Sequence, residues 1–332
     1  MKKVFKAALM LVIAAALIAA LAVGFAACDP KDETPDALRV AAPEGTPALA
    51  IARLKTDNAT LAGHAMTYEV VSPSLIAAEM SGGKADVVIM PVNAGANLIR
   101  QGADYRLISV AVNGSLFMVG STEDGGAIEK ADIAGSKVAC IGQGATPGLV
   151  FEYVMRSMGL EIVADKTPGE NQVAVQYVAD GPAAKALLEN DKVDFAVVGE
   201  PAATTFKNAL KLNAELDMQA AWKDATDEET YPQAGLFVRT SLAADAEFIS
   251  ALFDALAASK EWVNSNPSEV GAFMKANLYE SAAFPAPSIS RCAIDAEPLG
   301  EADKKEILAF LSAVMPKAGG TAAEWDKVTL FA

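Results

Sequence analysis

Histidine is nearly missing from this chain: His64 is the only one among 332 residues. A Ser-His-Asp triad therefore has a single candidate base, and a multi-histidine metal site has no second ligand. His64 lies in Leu61-Ala-Gly-His-Ala-Met-Thr67, a connector between a predicted helix and a predicted strand, and reads as an ordinary surface histidine. Cysteine is almost as scarce. Cys28, Cys140 and Cys292 form neither a CxxC nor a Cys/His cluster, which leaves a structural zinc site without ligands. Cys140 and Cys292 alone are no disulfide framework, and buried free thiols are the expectation. Basic residues are outnumbered, 27 Lys and Arg against 42 Asp and Glu, for a net charge of -15. Phosphate binding needs clustered Lys and Arg, so this balance argues against nucleic acid and for an acidic, solvated surface. No catalytic residue, metal or cofactor is assigned.

Long apolar runs are also absent, with one exception at the start. Lys2, Lys3 and Lys6 precede an Ala/Leu-rich stretch, Ala7 to Val23, followed by Phe25-Ala26-Ala27-Cys28. This is the layout of a secretory signal ending in a segment that resembles a bacterial lipobox, with Phe25 where Leu is usual. Cleavage before Cys28 would make its thiol the lipid-bearing N-terminus. An uncleaved anchor is the alternative, since Ala7 to Val23 is close to the roughly 17-residue limit for a spanning helix. The small Ala26-Ala27 pair and the abrupt change to Asp29-Pro-Lys-Asp-Glu-Thr-Pro-Asp36 favour processing and a solvated tether. The reading is thus a signal over 1–27 and a lipidated tether over 28–37.

About 300 residues then remain, enough for two lobes. From Leu38 the pattern alternates short apolar runs with helical stretches. Leu38 to Ala42, Met66 to Val71, Ala85 to Met90 and Tyr105 to Val112 read as strands, and a second set follows at Lys137 to Ile141, Val173 to Val178 and Val193 to Val198. Strands too apolar for one wet face, separated by helices, predict doubly wound α/β lobes with parallel sheets. Beyond Gly235 to Arg239 the chain reads as helix. The chain leaves the first lobe near Leu116 to Gly120 and returns near Leu236 to Thr240, which predicts a two-strand hinge and a helical tail packed on lobe 1. The expected division is 38–117 and 236–332 for lobe 1 and 118–235 for lobe 2.

In open α/β sheets, ligands bind outside the carboxyl ends of the strands. That rule selects the loops Pro43 to Thr46, Pro91 to Asn93, Asn113 to Ser115, Gly142 to Thr146 and Gly199 to Pro201. The candidate ligand-binding residues are Glu44, Gly45, Thr46, Asn93, Asn113 and Ser115, together with Gln143, Gly144, Thr146 and Glu200. Each also has a plain structural role open to it: Thr46, Asn93 and Thr146 as helix caps, Asn113 in a turn. Gly142-Gln-Gly-Ala-Thr-Pro-Gly148 lacks the Gly-Lys-Ser/Thr ending of a P-loop, and Pro147 does not suit a dinucleotide fingerprint. It offers backbone N–H groups at a helix start instead.

Four segments together carry a family resemblance: Pro43-Glu-Gly-Thr-Pro-Ala-Leu-Ala50, Gly83-Lys-Ala-Asp-Val-Val-Ile-Met-Pro-Val-Asn-Ala-Gly-Ala-Asn97, Gly142-Gln-Gly-Ala-Thr-Pro147 and Val193-Asp-Phe-Ala-Val-Val-Gly-Glu-Pro201. In order and spacing the chain resembles ABC-transporter substrate-binding lipoproteins of the nitrate/sulfonate/thiamine-precursor-like family. The resemblance implies the type II periplasmic-binding-protein fold, no enzymatic activity, a small-molecule ligand, an ABC permease with its ATPase as partners, and an extracytoplasmic, lipid-anchored location. Glu44 and Glu200 bring negative charge to the five loops while no Lys or Arg falls in them, so a heterocyclic, vitamin-precursor-like ligand is favoured over an oxyanion. Tyr153, Phe206 and Tyr231 are candidates for stacking on a ring. The rival readings are a sensor for a membrane receptor and an enzyme on the same fold, of dehydratase or pyrimidine-synthase type.

Overall fold

The computed structural model describes residues 37–164, 167–315, 325 and 327–332. The signal, Cys28 and the tether up to Asp36 lie outside them. Two sheets form one compact unit. The first contains β1 (Leu38–Pro43), β2 (Thr60–Leu61), β3 (His64–Val71), β4 (Val87–Pro91), β5 (Tyr105–Asn113) and β13 (Pro232–Arg239), in the order β2-β3-β1-β4-β13-β5. The second contains β6 (Leu116–Gly120), β7 (Gly126–Ala127), β8 (Lys137–Ile141), β9 (Glu161–Ala164), β10 (Gln172–Val178), β11 (Phe195–Gly199) and β12 (Ala214–Asp217), in the order β7-β12-β6-β11-β8-β10-β9.

The central strands run parallel, with Val40 beside Val87 in one sheet and Val138 beside Phe195 in the other. They are apolar throughout because helices cover both faces: Val87 to Met90 and Ala196 to Val198 are wholly buried. Each sheet departs from the expected parallel pattern at one interior strand. β13 is antiparallel to β4 and β5, and β6 is antiparallel to β11 and β12. These are the strands by which the chain enters a sheet from the other lobe. The parallel strands end at the lobe boundary, so an entering strand starts there, as Leu116 does opposite Gly199, and runs the other way. β6 and β13 each lie wholly in one sheet. The crossings therefore fall at Asn113–Leu116 and between Asp217 and Pro232, a few residues before the positions expected from sequence, since an apolar strand looks alike in either sheet.

On one face of the first sheet, α1 (Thr46–Ala50), α2 (Leu54–Asp57) and α11 (Ala246–Ser265) share a core with Val40, Ile89 and Val238. On the other, α3 (Ile76–Ser81) and α4 (Val92–Arg100) pack through Met80, Val92 and Ala96. After α5 (Lys130–Ile133), the second sheet is flanked by α6 (Thr146–Ser157) and α9 (Met218–Thr226) on one face and by α7 (Gly181–Glu189) and α8 (Ala202–Leu210) on the other. α10 (Thr240–Ala243) leads into α11, and α12 (Pro267–Asn277) and α13 (Ala286–Ile289) complete a small core with α1 through Leu49, Val270 and Ile289. The tail thus packs on lobe 1, and the segment after it pairs along β5, Ile294 beside Val112 and Pro298 beside Ser109. The last helix, α14 (Glu301–Val314), departs from that expectation. Its Ile307, Phe310 and Leu311 join a core that includes Phe151 and Trp222 of the second lobe. Among the described residues no helix is long and apolar enough to cross a membrane.

Gly95, inside the second of the four quoted segments, explains why α4 can lie so close to β13. A Cβ at that position would stand 2.2 Å from the Phe237 ring, and Phe237 is fully buried. Gly95→Ala is expected to lower unfolding free energy by about 1–3 kcal/mol, checked by urea denaturation at pH 7.

Candidate functional site

The short polar side chains expected to cap helices at the strand ends do something else. Gly45, with φ 96°, occupies the N-cap of α1, so Thr46 is already helical and its hydroxyl makes no cap. It donates instead to the Glu200 carbonyl at 2.5 Å and lies 3.3 Å from the Ser115 hydroxyl. Pro91 and Ala145 hold the corresponding places on α4 and α6, which frees Asn93 and Thr146. The Asn93 amide donates to the Gly144 carbonyl at 2.9 Å and accepts from the Thr146 hydroxyl at 3.0 Å. Thr46 and Asn93 come from lobe 1, and Gly144, Thr146 and Glu200 from lobe 2. Apart from the Thr46–Ser115 pair, these contacts cross the boundary between lobes. Thr46, Asn93, Ser115, Thr146 and Glu200 are all buried, and burial on this scale is tolerable only because each polar group finds a partner.

Ser115 stands at the outgoing crossing with φ 80°, directly after Gly114 with φ 70°. A serine in this region is uncommon, and the geometry is fixed from both sides. The Glu200 amide donates to the Ser115 carbonyl at 3.0 Å. Gln219 accepts from the Leu116 amide at 2.9 Å and from the Tyr231 hydroxyl at 2.7 Å, so one side chain ties the outgoing crossing to the returning one.

Glu200 is the electrostatic centre. Its carboxylate accepts from the Thr204 amide and hydroxyl at 3.1 and 2.8 Å and lies 2.6 Å from Arg291 Nε. Arg291 comes from the tail after α13. Its two terminal nitrogens fork onto Glu215 at 3.1 Å each, Lys207 meets Glu215 at 2.9 Å, and the guanidinium lies 3.8 Å from the centre of the Phe117 ring. Two carboxylates and two cations thus form a charge-balanced chain, Lys207–Glu215–Arg291–Glu200, with Arg291 reaching across from lobe 1. Burial pushes the Glu200 carboxyl above its ordinary range, with Thr204 and Arg291 opposing the shift. Burial pushes Glu215 up as well, but hydrogen bonds from Arg291 and Lys207 outweigh it and hold that carboxyl low. Cys292, beside Arg291 in the chain, is a buried free thiol pushed up to about 12, chiefly by burial.

Of the ten residues selected from sequence, two clusters come together: Thr46, Ser115 and Glu200 in one, Asn93, Gly144 and Thr146 in the other. Gly45 adjoins the first, its amide donating to the Tyr279 hydroxyl at 3.2 Å. Glu44 is exposed, 3.3 Å from the Ser281 hydroxyl, and Gln143 is exposed at the rim. Asn113 turns to the tail and donates to Asp295 at 3.1 Å. Arg291, Glu215 and Tyr279 were not selected, because they come from outside the five loops. The one signal for Arg291 was electrostatic, since a buried Glu200 needs a cation. That cation changes the charge reading of the loops: the Glu200 carboxylate is already neutralised within the protein. Two of the stacking candidates are core residues here, Phe206 on α8 and Tyr231 in an aromatic cluster with Trp222 and Phe310, while Tyr153 is half-buried against Trp222. His64 opens β3, edge-on to Phe248 and 4.0 Å from Asp245, with no part in these clusters.

No family model and no curated protein matches the chain. Solved structures do. An ABC transporter protein from Parabacteroides distasonis is similar over 89% of this chain and 98% of its own, at 20% identity and a TM-score of 0.69. The periplasmic aliphatic sulphonate binding protein of Escherichia coli matches over 89% and 99%, at 15% identity and a TM-score of 0.61. A Candida albicans protein described as having the generic periplasmic binding protein fold matches over 88% and 94%, at 14% identity and a TM-score of 0.58. The chain has the periplasmic-binding-protein fold, with two α/β lobes.

Removing Arg291 leaves a buried carboxylate without its cation, so Arg291→Ala is expected to cost about 2 kcal/mol or more in urea unfolding at pH 7. Glu215 has a lowered pKa in the folded protein, so its contribution is present above the ordinary carboxylate range and lost as pH falls through the folded value. The stability gap between wild type and Glu215→Gln is therefore expected to be about 1 kcal/mol at pH 7 and to shrink on acidification below about pH 4.5.

Proposed function

We propose that the protein is an extracytoplasmic solute-binding lipoprotein that captures a small organic molecule between its lobes and delivers it to an ABC importer permease and its ATPase. The observation that carries this reading is the set of mutual hydrogen bonds between Thr46, Ser115 and the Glu200 carbonyl and between Asn93, Gly144 and Thr146. Side chains that are free of capping duty and satisfied only across a lobe boundary are groups a ligand can take over when the lobes part. Cys28 is the proposed lipid site after removal of 1–27, with 28–37 as tether. The lobes run 38–115 plus 232–300 and 116–231, with α14 lying against the second.

The nitrate/sulfonate/thiamine-precursor-like family is the subfamily we favour, on the four sequence segments quoted above. Within it, a neutral or amine-bearing heterocycle suits the site better than a free oxyanion. Arg291, the cation that meets Glu200, is already held by two carboxylates, so an oxyanion would rely on backbone N–H groups at helix starts. The E. coli neighbour binds aliphatic sulphonates, which makes that class the necessary control.

Calorimetric titration with a panel of nitrogen heterocycles and oxyanions tests the reading. A tight ligand is expected among the former, and Thr46→Ala and Asn93→Ala are each expected to weaken it about tenfold while leaving far-UV circular dichroism unchanged. Tight binding confined to anions would overturn the ligand class, and affinity unchanged in both variants would overturn the interlobe site.

A further inference from the structure

A cavity of about 470 Å³ lies on the hinge side of the molecule, and of the five convergent loops only Asn113 lines it. Its walls come from every part that must move when the lobes move: Asn113 at the end of β5, Thr230 and Tyr231 on the returning crossing, Tyr153 of α6 and Trp222 of α9 from lobe 2, and Phe310 of α14. The volume is that of a small-molecule site.

Its chemistry is one-sided. Tyr153, Trp222, Tyr231 and Phe310 make an aromatic floor, with Trp222 at 2% exposure and Tyr231 fully buried. Five carboxylates, Glu228, Asp295, Glu297, Asp303 and Glu306, line the rest, and among the described residues no Lys or Arg does. Lys260 pairs with Asp295 and Glu297 at 2.8 and 3.1 Å. Among the described residues Glu228 and Glu306 have no ion-pair partner. The indole N–H of Trp222, in the cavity wall, is buried and has no acceptor.

We propose that this cavity is a second ligand site, separate from the interlobe site, for a small organic cation with a flat ring and a hydrogen-bond acceptor. The carboxylates supply the counter-charge, the half-buried Tyr153 supplies a ring face, and the acceptor meets the Trp222 N–H. Because both lobes and the returning crossing form the walls, any change of hinge angle changes the cavity. An occupant therefore biases the open–closed equilibrium, and a ligand between the lobes alters the cation's affinity by the same factor.

The test uses three molecules with one ring and three charges: 4-(aminomethyl)pyridine, pyridine-4-methanol and isonicotinate, titrated by NMR into the full chain at pH 7. Saturable binding is expected for the ammonium compound, at least tenfold weaker binding for the alcohol, and none for the carboxylate. Glu228→Gln combined with Glu306→Gln is expected to weaken the ammonium compound three- to tenfold and leave the alcohol unaffected. Thr46→Ala, in the other site, is expected to leave saturable binding of the ammonium compound in place. Absence of saturable binding by all three, equal affinity across the charges, or loss of the ammonium compound's binding in Thr46→Ala with retention in the double variant would overturn the proposal.

Discussion

A carboxylate taken out of water must find a counter-charge, and the burial of Glu200 imposes that requirement where the two lobes meet. β11 delivers the residue there, at the carboxyl end of a parallel strand, and Thr204 on the next helix supplies two donors. The cation arrives from far along the chain. The tail has to run over lobe 1 through α11, α12 and α13 before Arg291 can reach across to Glu200 and fork onto Glu215. The path of the last hundred residues is thus tied to the electrostatics of one side chain in the middle of the sequence.

The same contacts explain how a closed arrangement is held. Thr46 is satisfied by the Glu200 carbonyl, and Asn93 by Thr146 and the Gly144 carbonyl, across the boundary, so closure buries polar groups without orphaning them. These hydrogen bonds are individually worth about 0.5–1.5 kcal/mol, a scale that a ligand of ordinary affinity matches or exceeds. A ligand that offers the same donors and acceptors can enter without leaving buried groups unsatisfied. The charged chain differs in kind. It is complete within the protein and favours closure by itself; under the proposed function, selectivity would fall to the neutral groups.

Much of the architecture was legible because a strand buried on both faces has a near-continuous apolar run, as at Val87 to Met90, and because Gly and Pro mark the turns between. The rule that ligands gather at carboxyl ends of strands brought Thr46, Asn93, Ser115, Thr146 and Glu200 onto one list. Direction was not legible: nothing in Leu116 to Gly120 says that it runs against its neighbours, since antiparallel placement follows from entering a lobe at its boundary. Short strands such as β2 and β7 have too few residues to show a period. The roles of Thr46 and Thr146 were ambiguous for a physical reason, as a threonine at a helix start is equally suited to capping and to reaching outward. The reach of Arg291 depends on how the whole tail folds back.

The central claim is that the lobes exchange between an open form and a closed form held by the charged chain through Arg291. Thr67 on β3 and Glu161 on β9 are both exposed and lie toward the sheet ends remote from the hinge. Cysteines placed there carry spin labels, while native Cys140 and Cys292 are fully buried. The distance distribution measured by pulsed electron resonance is predicted to be dominated by a short population that shifts toward a longer one in Arg291→Ala. A single distance unchanged by the loss of Arg291 would contradict the account.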